Sequence, residues 1–157
     1  MLRLANTGER EEILSLYRSV MGTKFCTWNE DYPSMEEIDN DIENNCLYVM
    51  TSEGRIIASI SIVPERELDE LQVWSEREDA AELARLVVNR DCQGKGLAFR
   101  MLSEMEELLR EKGTKTVHLL AAKQNIPAVK TYLKADYEIK GEVNIYGNSY
   151  FAMEKIL

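Results

Sequence analysis

Histidine, cysteine and proline are scarce in this chain, numbering one, three and three among 157 residues. His118 alone cannot anchor a histidine-rich metal site, and Cys26, Cys46 and Cys92 are odd in number and share no C-x-x-C spacing. Neither a disulfide framework nor a zinc site is expected, so no metal enters the reading. Long apolar runs are missing as well. No stretch approaches the roughly 20 residues of a membrane span, and Met1-Leu2-Arg3-Leu4-Ala5 turns polar too soon for a signal peptide. A cytoplasmic protein without a membrane partner is the expectation. Positive charge is also short: 19 Lys and Arg against 28 Asp and Glu leave a net charge of −9. That balance speaks against nucleic acid, whose phosphates need clustered cations. It suits a cationic amine, or serves solubility alone. The length fits one domain, residues 1–157, with a core of its own.

What is there is a strongly periodic pattern. Leu2-Arg3-Leu4 reads as a first strand, and Thr7 is placed to cap a helix whose Ile13, Leu14, Leu16, Tyr17, Val20 and Met21 fall at helical spacing. Ser34-Met35-Glu36-Glu37 forms a capping box ahead of Ile38 and Ile42. Residues 46–50 and 55–62 flank Ser52-Glu53-Gly54 as a hairpin. An acidic connection from Pro64 to Ala81 carries Trp74, read as tucked against the sheet rather than as a lid. A strand from Glu82 to Val88 follows, in which simple alternation puts Glu82, Ala84, Leu86 and Val88 on one face. A helix from about Gly94 to Lys112 and a strand from Val117 to Ala121 then complete one right-handed parallel crossover, and a helix from Pro127 toward Ala135 follows. Two final strands are joined through Tyr146-Gly147-Asn148. The fold class is α/β.

The chemistry concentrates at Gln93-Gly94-Lys95-Gly96-Leu97-Ala98, a glycine turn between an apolar strand and an amphipathic helix. Helix N-termini present unpaired N–H groups and partial positive charge, and two glycines let an anion approach the backbone. Arg90, Lys95 and Arg100 make the surroundings locally basic. The spacing departs from a P-loop, since Lys95 lies between the glycines and no Ser or Thr follows. It also lacks the third glycine of a dinucleotide fingerprint.

The turn instead matches Gln/Arg-x-x-Gly-x-Gly/Ala through Gln93, Gly96 and Ala98. Downstream stands Asn125-x-x-Ala128-x-x-x-Tyr132, and Glu82 precedes Gln93 upstream. In these blocks, taken in order, the chain resembles the GNAT superfamily of acyl-CoA-dependent N-acetyltransferases. The likeness is close from about Glu82 onward and holds only in pattern before it. It implies a mixed, mostly antiparallel sheet of six to seven strands with about four helices. It further implies acetyl-CoA as cosubstrate and a small-molecule or peptide amine as acceptor.

By resemblance, the backbone of Leu86, Val87 and Val88 holds the pantetheine arm, and the amides of Gly94, Lys95, Gly96, Leu97, Ala98 and Phe99 hold the diphosphate. Asn125 bonds the pantetheine side or simply caps a helix. Glu82 is the general base, or else an exposed glutamate at a strand start. Tyr132 gives a proton or a hydrogen bond to the leaving thiolate, the alternative being a core tyrosine. Phe25, Trp28 and Tyr32 line the acceptor pocket or pack a loop. Asp136 stands where the family has a glycine, which leaves the turn there in question. Leu120 occupies the position of a glutamate found in the branch that acetylates ribosomal-protein N-termini, which disfavours that substrate. Tyr146, Tyr150 and Phe151 are available for a homodimer through the last strands. Two other readings stay open: transfer of a longer acyl group, and a non-catalytic CoA-binding module on the same scaffold.

Overall fold

The computed structural model describes residues 1–63 and 67–157, so the first part of the expected connection, from Pro64, lies outside the described residues. In chain order the elements are β1 Arg3–Leu4, α1 Arg10–Val20, α2 Met35–Glu43, β2 Leu47–Ser52, β3 Arg55–Ile62 and β4 Ala80–Val88. They continue with α3 Leu97–Glu111, β5 Thr116–Ala122, α4 Ile126–Lys134, β6 Glu138–Ile145 and β7 Asn148–Ile156. Among the described residues seven strands form one sheet in the order β1-β2-β3-β4-β5-β7-β6, with β4 and β5 its one parallel pair. The α/β reading and its single crossover hold. No helix among the described residues is long and apolar enough to cross a membrane.

Local chemistry explains most element ends. Ser34 Oγ accepts the Glu36 N–H and the Glu37 carboxylate accepts the Ser34 N–H, closing the anticipated capping box. The β2–β3 hairpin turns on Glu53 (φ 51°) and Gly54 (φ 75°), and β6–β7 turns on Tyr146 (φ 53°) and Gly147 (φ 75°). Both are the left-handed two-residue turns that match strand twist. Several boundaries differ from the sequence reading, these among them. Thr7 does not cap the first helix: Asn6 caps a short 3-10 turn over Thr7–Glu9, with Glu9 closing the box. Strand β4 starts at Ala80, two residues before Glu82, and α3 starts at Leu97 because Gly96 is its left-handed N-cap.

Each face of the sheet is covered differently. Met101, Leu102, Met105 and Leu109 of α3, with Tyr132 and Ala135, pack on Met50, Ala58, Ile60, Leu83, Val88, Val117, Leu119 and Met153. On the opposite face Ile13, Leu16, Tyr17, Ile38 and Ile42 pack on Leu47, Val49, Ile56 and Val87. The rest of that second face lies under the segment from Glu67 to Asp79. Trp74 is buried there, stacked on His118 at 3.9 Å between ring centroids and donating its indole N–H to the Leu68 carbonyl (2.7 Å).

Strand β4 is irregular where regular alternation was expected. Its register against β3 shifts between Ser59 and Ser61, which pair with Val87 and Ala84, so that Ile60 opposes both Arg85 and Leu86. Arg85 takes φ 52° inside this bulge. One extra residue inverts the facing of everything beyond it. Leu83, Leu86 and Val88 therefore pack toward α3, while Glu82 and Arg85 face the other way with Val87. The sequence reading had Glu82 on one face with Leu86 and Val88; the bulge separates them.

Candidate active site

Strands β4 and β5 part company early. They pair only at Ala80–Thr116, Ala81–Val117 and Glu82–His118, although β4 runs on to Val88 and β5 to Ala122. Beyond that apex the edge of β4 from Leu83 to Val88 pairs with no strand on the β5 side, among the described residues. A wedge opens there, floored by α3 and α4 side chains and lined on one wall by peptide groups that still require partners. Leu86, Val87 and Val88 form that wall.

The wedge leads into the glycine turn. After Val88, Asn89 caps a 3-10 turn over Arg90–Cys92, and Gln93 Nε2 donates to the Val88 carbonyl (3.1 Å), tying the turn to the strand end. Gly94 and Gly96 both sit near φ 75°, where a side chain is strained, and a Cβ on either would meet nothing within 4 Å, so open space lies over the turn. The first backbone bond into α3 runs from Arg100 N–H to Gly96 O (3.0 Å). Among the described residues the amides of Leu97, Ala98 and Phe99, ahead of that bond, donate to no protein acceptor. Arg90, Lys95 and Arg100 are exposed around them, with Arg100 also held by Glu104 at 3.0 Å. A turn of this kind can receive an anion with backbone alone.

Glu82 sits at the apex, 2 % exposed, its Oε1 accepting the Leu68 N–H at 2.9 Å. It is not the exposed strand-start residue of the alternative reading. Beside it on the same face are His118 and Glu154, joined at 2.8 Å through His118 Nε2. Glu154 also accepts the amides of Ser75 and Glu76. Burial works to raise the Glu154 pKa, but the His118 and amide hydrogen bonds outweigh it and hold the carboxyl below its usual range. Burial pushes His118 below its ordinary value against the pull of Glu154. With Nε2 2.8 Å from the carboxylate, His118 donates from that nitrogen, and its Nδ1 is buried without a hydrogen-bond partner.

Tyr132 lies on α4, buried, with its ring edge-on to Tyr137 at 5.8 Å, and desolvation lifts its pKa to about 12. Asn125 is the N-cap of that helix, its Oδ1 accepting the Ala128 N–H (3.3 Å), which leaves the two Nδ2 donors for another partner. Asp136 does adopt the left-handed conformation (φ 68°) that its place in the motif demands.

Of the three aromatic candidates, only Tyr32 reaches β4: its hydroxyl accepts Arg85 Nη1 at 3.0 Å, and its ring is half exposed. Trp28 packs edge-on against Tyr17 in the core of the second face (5.3 Å), and Phe25 lies beside Lys24. The buried pair of Asp41 and Arg85 escaped the sequence reading. Asp41 is fully buried and accepts three hydrogen bonds from the Arg85 guanidinium at 2.7–3.0 Å, plus one from Ser61 Oγ. A signal for Asp41 existed, because it falls on the α2 stripe with Ile38 and Ile42.

The profile described as "Acetyltransferase (GNAT) family" matches residues 12–137. The chain belongs to the GNAT acetyltransferase family. Membership makes it an acyltransferase of the acetyl-CoA-dependent class. No curated protein matches this acetyltransferase by sequence. Solved structures do match its fold. PaiA N-acetyltransferase from Thermoplasma acidophilum, in complex with coenzyme A, is 19 % identical over all of this chain and 98 % of its own (TM-score 0.77). YncA from Salmonella typhimurium, a putative acetyltransferase with its cofactor acetyl-CoA, is 16 % identical over all of this chain and 93 % of its own (TM-score 0.78). Ribosomal-protein-alanine N-acetyltransferase from Brucella melitensis is 21 % identical, covering all of this chain and 99 % of its own (TM-score 0.77). At these identities the acetyltransferase GNAT fold is what is shared.

Proposed function

We propose that the chain transfers an acetyl group from acetyl-CoA to a primary amine of a small molecule or peptide. The observation that carries this reading is the continuity of the open β4 edge with the glycine turn and the unpartnered amides of Leu97, Ala98 and Phe99. An extended arm bearing peptide-like groups fits the first and a diphosphate fits the second, which is the outline of an acyl-CoA. Bound acetyl-CoA would supply the acyl group as a thioester already activated toward amines. The protein's share of the work falls to the remaining residues. The backbone of Leu86, Val87 and Val88 orients the arm, Asn125 Nδ2 donates to it, and the Gly94–Phe99 amides fix the far end.

Glu82, buried beside the wedge apex, takes the proton of an incoming ammonium directly or through one water, as a general base does. Tyr132 faces a harder task as an acid. Burial pushes its phenol up to about 12, so it releases its proton reluctantly. Tyr132 therefore serves the leaving sulfur as a hydrogen-bond donor, and the thiolate takes up the second proton, which the acylated nitrogen releases, to leave as the free thiol. Tyr32, at the bulge on the Glu82 face, is the aromatic best suited to meet the acceptor.

Coenzyme A and acetyl-CoA should each raise the melting temperature, since a ligand at a hundredfold its Kd stabilises the native state by about 2.7 kcal/mol. No shift with either overturns the donor reading. A panel of amines followed by free-thiol release then identifies the acceptor class. Thermal stabilisation with no thiol released by any amine would favour the non-catalytic binding module. Tyr132→Phe should slow transfer by about a hundredfold, as loss of one oriented donor does elsewhere, with CoA affinity nearly unchanged. An unaltered rate removes Tyr132 from the reaction.

A further inference from the structure

The bulge in β4 holds a non-glycine residue at φ 52° immediately before the edge assigned to the acyl donor. Glycine adopts that conformation freely, whereas an L side chain there needs surroundings that enforce it. At Arg85 the enforcement is visible. Its guanidinium donates Nε to Asp41 Oδ2 (3.0 Å) and Nη2 to both carboxylate oxygens (2.8 and 2.7 Å). Asp41 is itself wholly buried on α2 and fastened to β3 by Ser61 Oγ at 2.6 Å. The fourth bond, to the Tyr32 hydroxyl, ties in the segment ahead of α2.

Regular pleating would destroy this arrangement. Sliding residue 85 into an ordinary strand conformation turns its side chain toward the opposite face, where Met101, Leu102 and Met105 pack. It would also strand the Asp41 carboxylate in the interior without a cation, which proteins tolerate poorly. Apolar packing of Leu86 and Val88 sets the coarse register, and the ion pair selects the conformation of the one residue that packing leaves undecided.

We propose that Arg85 is a positioning residue: by pairing with Asp41 it holds the β4 bulge, and thereby keeps the Leu86–Val88 edge in the form that receives the acyl donor. This rests on the donor site proposed above. It also links that site to Tyr32, so that the segment before α2 and the donor edge are braced by one guanidinium.

The test removes the pair without leaving a lone buried charge. Arg85→Ala/Asp41→Asn and Arg85→Gly/Asp41→Asn both lack it, and differ only in whether residue 85 accepts the left-handed conformation unaided. CoA affinity is measured by calorimetry, and hydrogen exchange of the Leu86–Val88 amides is measured without CoA. The alanine double variant should bind CoA about tenfold more weakly, equivalent to about 1.4 kcal/mol, with faster exchange at these amides. The glycine double variant should stay within about threefold of wild type, because it needs no enforcement. Wild-type binding and exchange in the alanine variant would overturn the proposal. So would equal losses in both, which would mean that the pair acts through its side chains. Should the wild-type chain fail to bind CoA, the donor reading falls, and exchange alone decides whether the pair holds the bulge.

Discussion

Both faces of the sheet bury an apolar cluster, and they differ in the polar groups buried with it. The face under α3 and α4 is an apolar jigsaw of Met101, Leu102, Met105, Leu109, Val117, Leu119 and Met153. The face under α1, α2 and the Glu67–Asp79 segment buries Asp41 with Arg85, and Glu82, His118 and Glu154 in a row. Apolar burial is roughly proportional to area and indifferent to direction, so it can hold a sheet but cannot aim a group. Buried charge is expensive unless every partner is in position, which makes it a poor source of stability and a good source of geometry. The wedge draws on both: α3 floors it, and the polar face carries Glu82 and Arg85, the residues proposed to take a proton and to hold the bulge.

Three perturbations separate these roles. The largest effect should come from Gly96→Val, which forces a β-branched residue into a φ of 75° at the head of α3. It should lower CoA affinity by about a hundredfold or more by misaligning the cradle amides, while denaturant unfolding still reports a folded chain. Retained affinity would contradict the cradle. Next is Leu102→Ala, at a fully buried position on the apolar face. It should cost about 2–5 kcal/mol of unfolding free energy, with CoA affinity of the folded protein unchanged. A loss of affinity without a loss of stability would erase the distinction between the faces.

The smallest effect, and the one specific to the polar face, concerns acid. Glu154 is held below the usual carboxylate range, so its contribution is present above about pH 4.3 and is lost as pH falls through its lower folded value. His118, held below its ordinary value, adds a loss that begins earlier, as pH drops below about 6.5 and the unfolded chain takes up a proton that the folded ring refuses. Glu154→Gln should destabilise by about 1.5–3 kcal/mol at pH 7.5, the range for hydrogen bonds to charged groups. That gap should narrow as pH falls below about 4.3 and close only once pH has passed below the lower folded value of the wild-type carboxyl. Urea unfolding at a series of pH values measures it; a gap independent of pH would mean that Glu154 acts by shape alone.

What could be read from the sequence follows the same division. The Ser34 box, the Glu53-Gly54 turn and the apolar stripe of α3 are local patterns, each legible because the residues that cause the structure are neighbours in the chain. The glycine turn is a local pattern of the same kind, and the offsets of Glu82, Asn125 and Tyr132 from it are what nominate them for the proposed site. Thr7 was misjudged as a cap because Asn6 stands next to it and outcompetes it, a difference of one residue that only backbone geometry decides. The bulge was invisible. Alternation is the default for a strand, and what breaks it is a carboxylate 44 residues away. Asp41 could have been suspected from its place between Ile38 and Ile42, but its partner could not. The stacking of Trp74 on His118 was foreseen only as a tryptophan tucked against the sheet, since its ring partner lies across a connection without periodicity.

The stack of Trp74 on His118 is nearly parallel, at 9° between ring planes, whereas the other tryptophan, Trp28, meets Tyr17 at 64°. An imidazole lying flat on an indole quenches its fluorescence, and does so more strongly when protonated. The chain thus carries two indole reporters, Trp28 packed on α1 and Trp74 on the segment that covers Glu82 itself. With Trp28 replaced by phenylalanine, the emission of Trp74 becomes a direct optical record of whether that covering segment is seated.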